Sequence, residues 1–495
     1  MVNWCLRNSL RTIPNAINTS LKAQLMRPEP TPQQSEILEA VRATDNNLMI
    51  RARAGTGKTT MLEMIDAAQK SVPTLLICFN KSIATEAERR MKATTTVRTF
   101  NSLGHRVWSE YCSKRLTLNK NKIRDIFKQM VDDAPRNDRK HMWSLYDQTT
   151  AAVNMARSVG YIPDRHAKGS KSLCTFGDVE KRLDETILPG VHVLTDDILI
   201  ESIRQAYEGV IDFTDQAYMP SLFGGNYPSF PLVMIDEYQD LSPVNRAMVA
   251  KLCRHSRQIG VGDEAQSIYE FRGADTDAMP DAVNQFEMVV LPLSVSFRCP
   301  SNITDNVRWR VPDIRSSRDG GSVLYGSLAD VDAGATVICR YNAPLVHLAM
   351  DCLHRGTRVD VAGVDIGGKV IRLLEKLGPD TLTQTQTLDA INHWEAERES
   401  LDSKTATDIA ECLRVFARHG ATLAQAVAYA RHIFESTDGE IRFMSGHRSK
   451  GLEFDRVYHL DADSIRAGGQ EDNIRYVIDT RSKETLTYIS SNRRR

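Results

Sequence analysis

The stretch AGTGKTT at residues 54–60 has the residue types that hold a phosphate. Gly55 and Gly57 let successive backbone N–H groups turn toward phosphate oxygens, and Ala54, Thr56 and Thr60 complete the loop around them. Lys58 carries a positive charge on a stem long enough to reach the β- and γ-phosphates, and the Thr59 hydroxyl is a hard oxygen ligand for Mg²⁺. Ala52 stands where the eight-residue pattern usually has its first glycine. Further on, LVMIDEYQD at 232–240 is an apolar run that ends in two carboxylates. Asp236 there would hold Mg²⁺ through water, and Glu237 would take a proton from an attacking water. Many strands end in acids, so this second signal decides little alone. With a phosphate loop in the same domain it predicts nucleoside triphosphate hydrolysis. A Gly-rich turn with a chance Lys-Thr is the bland reading. A small-molecule kinase is the reading from another class, although it has no obvious need for Glu237 beside Asp236.

Both groups must be held by strands and helices. Residues 33–43 predict a helix with Ile37, Leu38 and Val41 on one face, and NNLMIRA predicts a short strand. The phosphate loop follows, then a helix with Met61, Leu62, Met64 and Ile65, then the apolar strand TLLICFN and the helix SIATEAERRM. That alternation predicts a doubly wound α/β domain with a parallel sheet. From 105 to 230 the pattern turns helical and polar, and strand character returns at FPLVMIDE, QIGVGD and MVVLPLSV. A second α/β stretch includes TVICR and RVDVAG, a helical block covers 377–436, and strands resume at EIRFMSG, DRVYHLD and LTYIS. The expected division is a first core of 31–104 and 231–290 with a helical insertion at 105–230. A second core of 291–376 and 437–495 carries a reduced helical insertion at 377–436.

The 495 residues include 63 Lys plus Arg and 63 Asp plus Glu, so the chain is neutral overall. Any nucleic-acid surface must come from local segregation of charge. The run SKRLTLNKNKIR at 113–124 is basic without an acid, and reads equally as part of a DNA path or as a solvated helix face. No apolar run approaches the ~18 residues of a membrane span, so no membrane partner is expected. The nine cysteines form no CxxC pair, which leaves a zinc or iron–sulfur site without support and fits a reducing compartment. The expected location is cytoplasmic, nucleoid or nuclear. Residues 1–28 carry Arg7, Arg11, Lys22 and Arg27 and no acid, which predicts a basic, poorly ordered leader over 1–30, with an organelle transit segment as the alternative.

GDEAQSIYEFRGA at 262–274 resembles the third signature of superfamily 1 helicases of the UvrD/Rep/PcrA group. The other signatures follow in order. TPQQ, containing Gln34, resembles the adenine-reading motif. CFNKSIATEAERRM, with Phe79, and TFNSLGHR, with Asn101, resemble the strand-contacting motifs in a form closer to the F-box helicase branch. SFRCP at 296–300 resembles the motif usually written NYRS, and SGHRSKGLEFD at 445–455 and YVIDTRSK at 476–483 resemble the last two. The likeness runs from about 31 to 489 and leaves out both insertions.

The resemblance implies two RecA-like P-loop NTPase cores, ATP and Mg²⁺ as cofactors, and movement from 3′ to 5′ along single-stranded DNA with unwinding of tailed duplex. It implies that Gln34 binds adenine, Phe297 stacks on the base, Glu453 touches the ribose and Gln266 senses the γ-phosphate. Arg298 and Arg481 would be arginine fingers. Phe79, Asn101, Tyr269, Phe271, Arg272 and His447 would contact DNA, with His447 coupling the strand to the nucleotide. Asn101 stands where the family usually has His, and Phe297 where it usually has Tyr. A reading of Tyr269 and Phe271 as core residues stays open at this point. The rival function is a DNA-stimulated ATPase that serves a protein partner, such as a nuclease or a replication or repair factor, without unwinding alone. After the last motif about a dozen residues remain, ending in Arg493, Arg494 and Arg495, which predicts no fused nuclease in this chain.

Overall fold

The computed structural model describes residues 29–491 apart from 70–71, 165–169, 276, 364–366, 404 and 436–438. The basic residues of the leader and Arg493–Arg495 lie outside the described residues.

The fold is α/β and is built on two parallel six-stranded sheets, the arrangement of two RecA-like cores. The first sheet contains β1 (Leu48–Ala52), β2 (Thr74–Cys78), β3 (Thr95–Thr99), β4 (Leu232–Ile235), β5 (Arg257–Gly262) and β6 (Val289–Leu293). Its spatial order is β3-β2-β4-β5-β1-β6. The pleat sends alternate residues to opposite faces, and both faces are covered. Leu48, Ile50, Leu76 and Met234 pack with Met61, Leu62 and Ile65 of the helix after the phosphate loop. Met49, Leu75, Ile77, Val233 and Ile235 pack with Phe100, Tyr238 and Met248 on the other face. β3 is not evident in the sequence. It is an edge strand in which only Val97 is buried, so TTVRT carries no apolar run.

The second sheet contains β7 (Ser322–Tyr325), β8 (Thr336–Cys339), β9 (Val359–Gly363), β10 (Ile441–Ser445), β11 (Phe454–Leu460) and β12 (Ser482–Ile489). Their order is β7-β12-β11-β8-β10-β9. β7 is again an edge strand that the sequence does not announce, with Leu324 and Tyr325 exposed. One face of this sheet packs on the helix Gly469–Asp479 through Ile474, Val477 and Ile478. Ile268, from the segment after β5, is buried in that same cluster. The two halves are therefore packed together at this point.

Helices fill the chain between β3 and β4. The first, Phe100–Cys112, starts at the end of β3 under a Thr99 cap and passes through residue 105, where the polar pattern predicts the insertion to begin. The basic run at 113–124 is not one solvated helix face. Thr117–Leu118 pairs with Val210–Ile211, and Lys122 is fully buried with its Nζ 2.6 Å from Asp215. Arg157, also buried, bonds Asp212 at 2.7 Å and Asp215 at 3.1 Å. Burying unpaired charge costs several kcal/mol, so these four charges must stay together. In the second half, helices Gln384–Glu399, Ala406–Ala417 and Leu423–Glu435 form the smaller helical block. The two blocks meet: Thr186 N donates to Leu401 O at 2.7 Å, and Arg398 pairs with Glu185 at 2.7 Å. Among the described residues no helix is long and apolar enough to cross a membrane.

Candidate functional site

β1 ends directly in the phosphate loop. Gly55 and Gly57 have φ of +73° and +80°, the left-handed region where a side chain is strained. Space forbids a side chain at Gly55 as well, since a Cβ there would lie 2.5 Å from Arg298 Cβ and 2.6 Å from Ser296 Oγ. Gly57 starts the helix Lys58–Ala68, so Lys58 and Thr59 open it at an end whose free N–H groups favour an anion. Thr56 Oγ1 donates back to Arg53 O, and Thr60 is exposed one turn on.

β4 is buried along its whole length and delivers Asp236 and Glu237 beside this loop. Lys58 Nζ donates to Glu237 Oε2 at 2.7 Å. Glu237 has φ of +51°, which is uncommon for a residue with a side chain and is the kind of backbone strain that gathers at functional sites. Asp236 is buried, and burial followed by the charge of Glu237 pushes its carboxyl up to about 7. Burial acts the same way on Glu237, but Lys58 and Lys450 outweigh it and hold that carboxyl down at about 2. Gln266 Nε2 donates to Asp263 Oδ2 at 2.6 Å.

The second half closes over the loop. Phe297 N donates to Gly55 O at 2.9 Å, which seats SFRCP on the phosphate loop, and Phe297 is 43% exposed. Arg298 Nε donates to Glu453 Oε2 at 2.8 Å, so two residues singled out from separate motifs are partners here. Arg481 is buried. Its guanidinium bonds Val477 O, Leu452 O and Thr480 Oγ1, and among the described residues it has no carboxylate partner. Burial, then the nearby charge of Arg298, pushes it down to about 9. Gln34 lies in the first turn of the helix Pro32–Ala43 in a capping box: its Oε1 accepts from Thr31 N at 2.9 Å, and the side chain is buried. The geometry thus commits part of Gln34 to its own helix.

Five of the six residues singled out for DNA form one cluster. Phe79 and Tyr269 are stacked at 5.9 Å, and Phe271 lies edge-on to both Tyr269 and His447. The Arg272 guanidinium lies 5.0 Å from the Tyr269 ring and 5.4 Å from the Phe271 ring. Phe271 is 52% exposed, which removes the reading of that ring as core. Burial, then Arg340, Arg272 and Lys450, push His447 down to about 3, so it is neutral at physiological pH. Asn101 stands apart: its Nδ2 donates to Phe213 O at 2.7 Å, and Phe213 is 53% exposed.

Other residues at the site carry no clear signal in the sequence. Lys450 Nζ bonds both Asp240 oxygens, at 2.7 and 2.6 Å, and Gln266 O at 2.6 Å, and lies 4.8 Å from the Tyr269 ring. It therefore touches the carboxylate side and the aromatic cluster at once. Burial pushes Asp240 up to about 6 against the pull of Lys450. Asp240 and Lys450 fall inside quoted motifs, but nothing in either motif says that they meet. Phe213 has no signal except its place between two acids, Asp212 and Asp215.

A family model described as the UvrD/REP helicase N-terminal domain matches residues 33–287, more than half of the chain. The chain is 28% identical over 187 residues to a subunit of the ATP-dependent helicase/nuclease of Staphylococcus haemolyticus, covering 33% of this chain and 15% of that protein. It is 24% identical over 264 residues to F-box DNA helicase protein 1 of Schizosaccharomyces pombe, covering 50% and 29%. It is 25% identical over 268 residues to ATP-dependent DNA helicase PcrA of Bacillus subtilis, covering 48% and 33%. The matched segments thus span a third or less of each of these relatives.

Proposed function

The chain belongs to the UvrD/REP helicase family, and from that premise we propose that it is an ATP-driven motor that steps 3′ to 5′ along single-stranded DNA and unwinds tailed duplex. One observation carries the reading. Lys58 and Glu237 of the first half meet the Phe297–Arg298 segment at one phosphate loop, Arg481 of the second half lies near enough to feel the charges of Arg298 and Glu237, and the segment that bears Gln266 runs on into the aromatic cluster. The polarity rests on the family likeness. The division into two cores with two helical insertions is part of the proposal, with the first core running on past residue 290 because β6 (Val289–Leu293) pairs with β1.

In this reading Lys58 leaves Glu237 for the β- and γ-phosphates, Glu237 accepts a proton from water, and Gln266 reports the γ-phosphate. Phe297 and Gln34 hold the base and Glu453 the ribose. The oxygen donors of Thr59 and Asp236 suit Mg²⁺, and the crowding of Asp236 against Glu237 favours a cation there; when bound it would neutralise charge on the phosphates. Aromatic faces accept any base, which suits a motor that must not read sequence.

The first test is ATP turnover with and without single-stranded DNA, followed by displacement of a strand from a 3′-tailed and a 5′-tailed duplex. Turnover indifferent to DNA would point to a kinase-like activity and end the proposal. A second reading has its own support in the likeness to part of a helicase/nuclease: an ATPase that serves a nuclease partner. DNA-stimulated turnover without displacement on either tail would favour it.

Two predictions concern the strand. Tyr269→Ala and Phe271→Ala should each cost roughly 1–3 kcal/mol of single-strand affinity, about five- to 150-fold. Because Phe271 is half exposed, its loss should leave the melting temperature and basal turnover unchanged. An unchanged affinity in fluorescence anisotropy would place the DNA floor elsewhere, with Phe213 and Asn101 the next candidates. Arg272→Ala should lower the slope of log affinity against log salt by about one phosphate contact. His447→Ala should leave that slope alone, because the neutral ring releases no counterion. Equal slopes for wild type and Arg272→Ala would remove Arg272 from the phosphate path.

A further inference from the structure

Among the residues to which no role is assigned above, the seam between the two halves holds a buried hydroxyl that touches both the phosphate loop and the partner of Gln266. Tyr476 lies in the helix Gly469–Asp479 of the second half and is fully buried. Its OH accepts from Ala54 N of the phosphate loop at 3.0 Å and donates to Asp263 Oδ2 at 3.3 Å. The same Asp263 oxygen takes the 2.6 Å bond from Gln266 Nε2. Asp263 N in turn donates to Gln239 Oε1, and Gln239 Nε2 donates to Glu237 Oε2 at 2.6 Å. A continuous set of bonds thus runs from the Tyr476 hydroxyl to the carboxylate that faces Lys58.

The surroundings fix this hydroxyl. The ring packs with Ala54, Ala265, Val307, Val311 and Ile314, a cluster drawn from both halves. One turn earlier, Asn473 Nδ2 donates to Glu264 O and Ser267 O, so the helix is stitched to the segment of Gln266 along its length. At its other end, Thr480 Oγ1 donates to Tyr476 O and Arg481 Nε donates to Val477 O. Tyr476 and Arg481 are therefore held to the same helix end.

We propose that Tyr476 is a positioning residue that sets the phosphate loop and Gln266 in register with the helix that delivers Arg481, a role that rests on the ATPase reading above. A phenol is the group the position needs. It is a neutral donor and acceptor at once, so it joins a backbone N–H to a buried carboxylate without adding a charge. Phenylalanine would keep the packing and lose both bonds.

The test is Tyr476→Phe in the full chain, alone and combined with Gln266→Ala, read by ATP turnover on saturating oligo-dT, binding of a fluorescent ATP analogue, and thermal melting. If the hydroxyl acts through Asp263 and Gln266, the single variant should lower kcat at least about tenfold while analogue affinity stays within about threefold. In the Gln266→Ala background it should then cost less than about twofold more, because residues in one network are not additive. The same loss in both backgrounds, or a loss that follows the melting temperature, would make Tyr476 a packing residue only. An unchanged kcat would overturn the proposal directly. A wild-type protein that turns over no ATP, or a Lys58→Ala variant that turns over normally, would instead remove the ATPase reading and this role with it.

Discussion

Arg481→Ala should reduce ATP turnover at least tenfold, and toward the 10³–10⁵ range that arginine fingers contribute in related phosphoryl transfers. The structure gives the reason. A buried guanidinium normally has a carboxylate, because burying an unpaired charge is expensive. Among the described residues Arg481 has only carbonyl and hydroxyl oxygens as partners, and Arg298 nearby is a like charge that adds to the cost. Negative charge growing on a transferring phosphoryl group would relieve both. Arg298 differs, because it has a carboxylate partner: its side chain is 17% exposed, but Glu453 is half exposed, so water screens the pair and weakens its contribution to stability. Arg298→Ala should therefore lower turnover while leaving the melting temperature nearly unchanged. For the buried Arg481 the rate must be taken per folded molecule. Lysine at either position should not rescue, since it lacks the planar fork that can bond two oxygens at once. Wild-type turnover by Arg481→Ala would mean that the second sheet does not complete the nucleotide site.

What the sequence discloses follows from how local each signal is. The phosphate loop and the two acids after β4 are legible because their chemistry is set by residue type over a few positions, and β1 and β4 because strands buried on both faces read as apolar runs. β3 and β7 are hidden because an edge strand needs little apolar content. The partnerships at the site are hidden for another reason. Lys450 meets Asp240 across 210 residues, and Ala54 meets Tyr476 across 422. No local pattern encodes such pairs, and although Tyr476 opens the stretch YVIDTRSK, nothing in that stretch says that it meets Ala54. Gln34 shows the reverse. Thr31 followed by Gln34 is a capping-box signature in plain view, so the same residue answers to two patterns, and the side chain does serve the cap. The basic run at 113–124 is deceptive because composition treats Lys122 like its neighbours, whereas its stem reaches Asp215 in the interior.

Glu237→Gln should cut turnover by about 10²–10⁴, the usual contribution of a positioned general base, and leave ATP binding in place. The arrangement of charge makes this more than the loss of one base. With Lys58 at 2.7 Å and Lys450 close by, Glu237 is held at about 2, too acidic to take a proton from water efficiently. Phosphate oxygens that draw Lys58 away would remove the larger of those two restraints. The carboxylate would then rise toward its ordinary range while its backbone, strained at φ +51°, keeps it aimed at the loop. The base would thus be switched on by the substrate it acts on, and idle hydrolysis would be limited by the same ion pair. Lys58→Ala tests the other side of the pair. It should abolish turnover by removing the phosphate contact, and unlike Glu237→Gln it should also weaken ATP binding. Glu237→Gln should instead trap the ATP-bound state, so that single-stranded DNA binding measured in ATP persists while phosphate release stops. Near wild-type phosphate release by Glu237→Gln would assign the base to another group. Equal loss of ATP binding in both variants would show that Glu237 shapes the loop and is not the base.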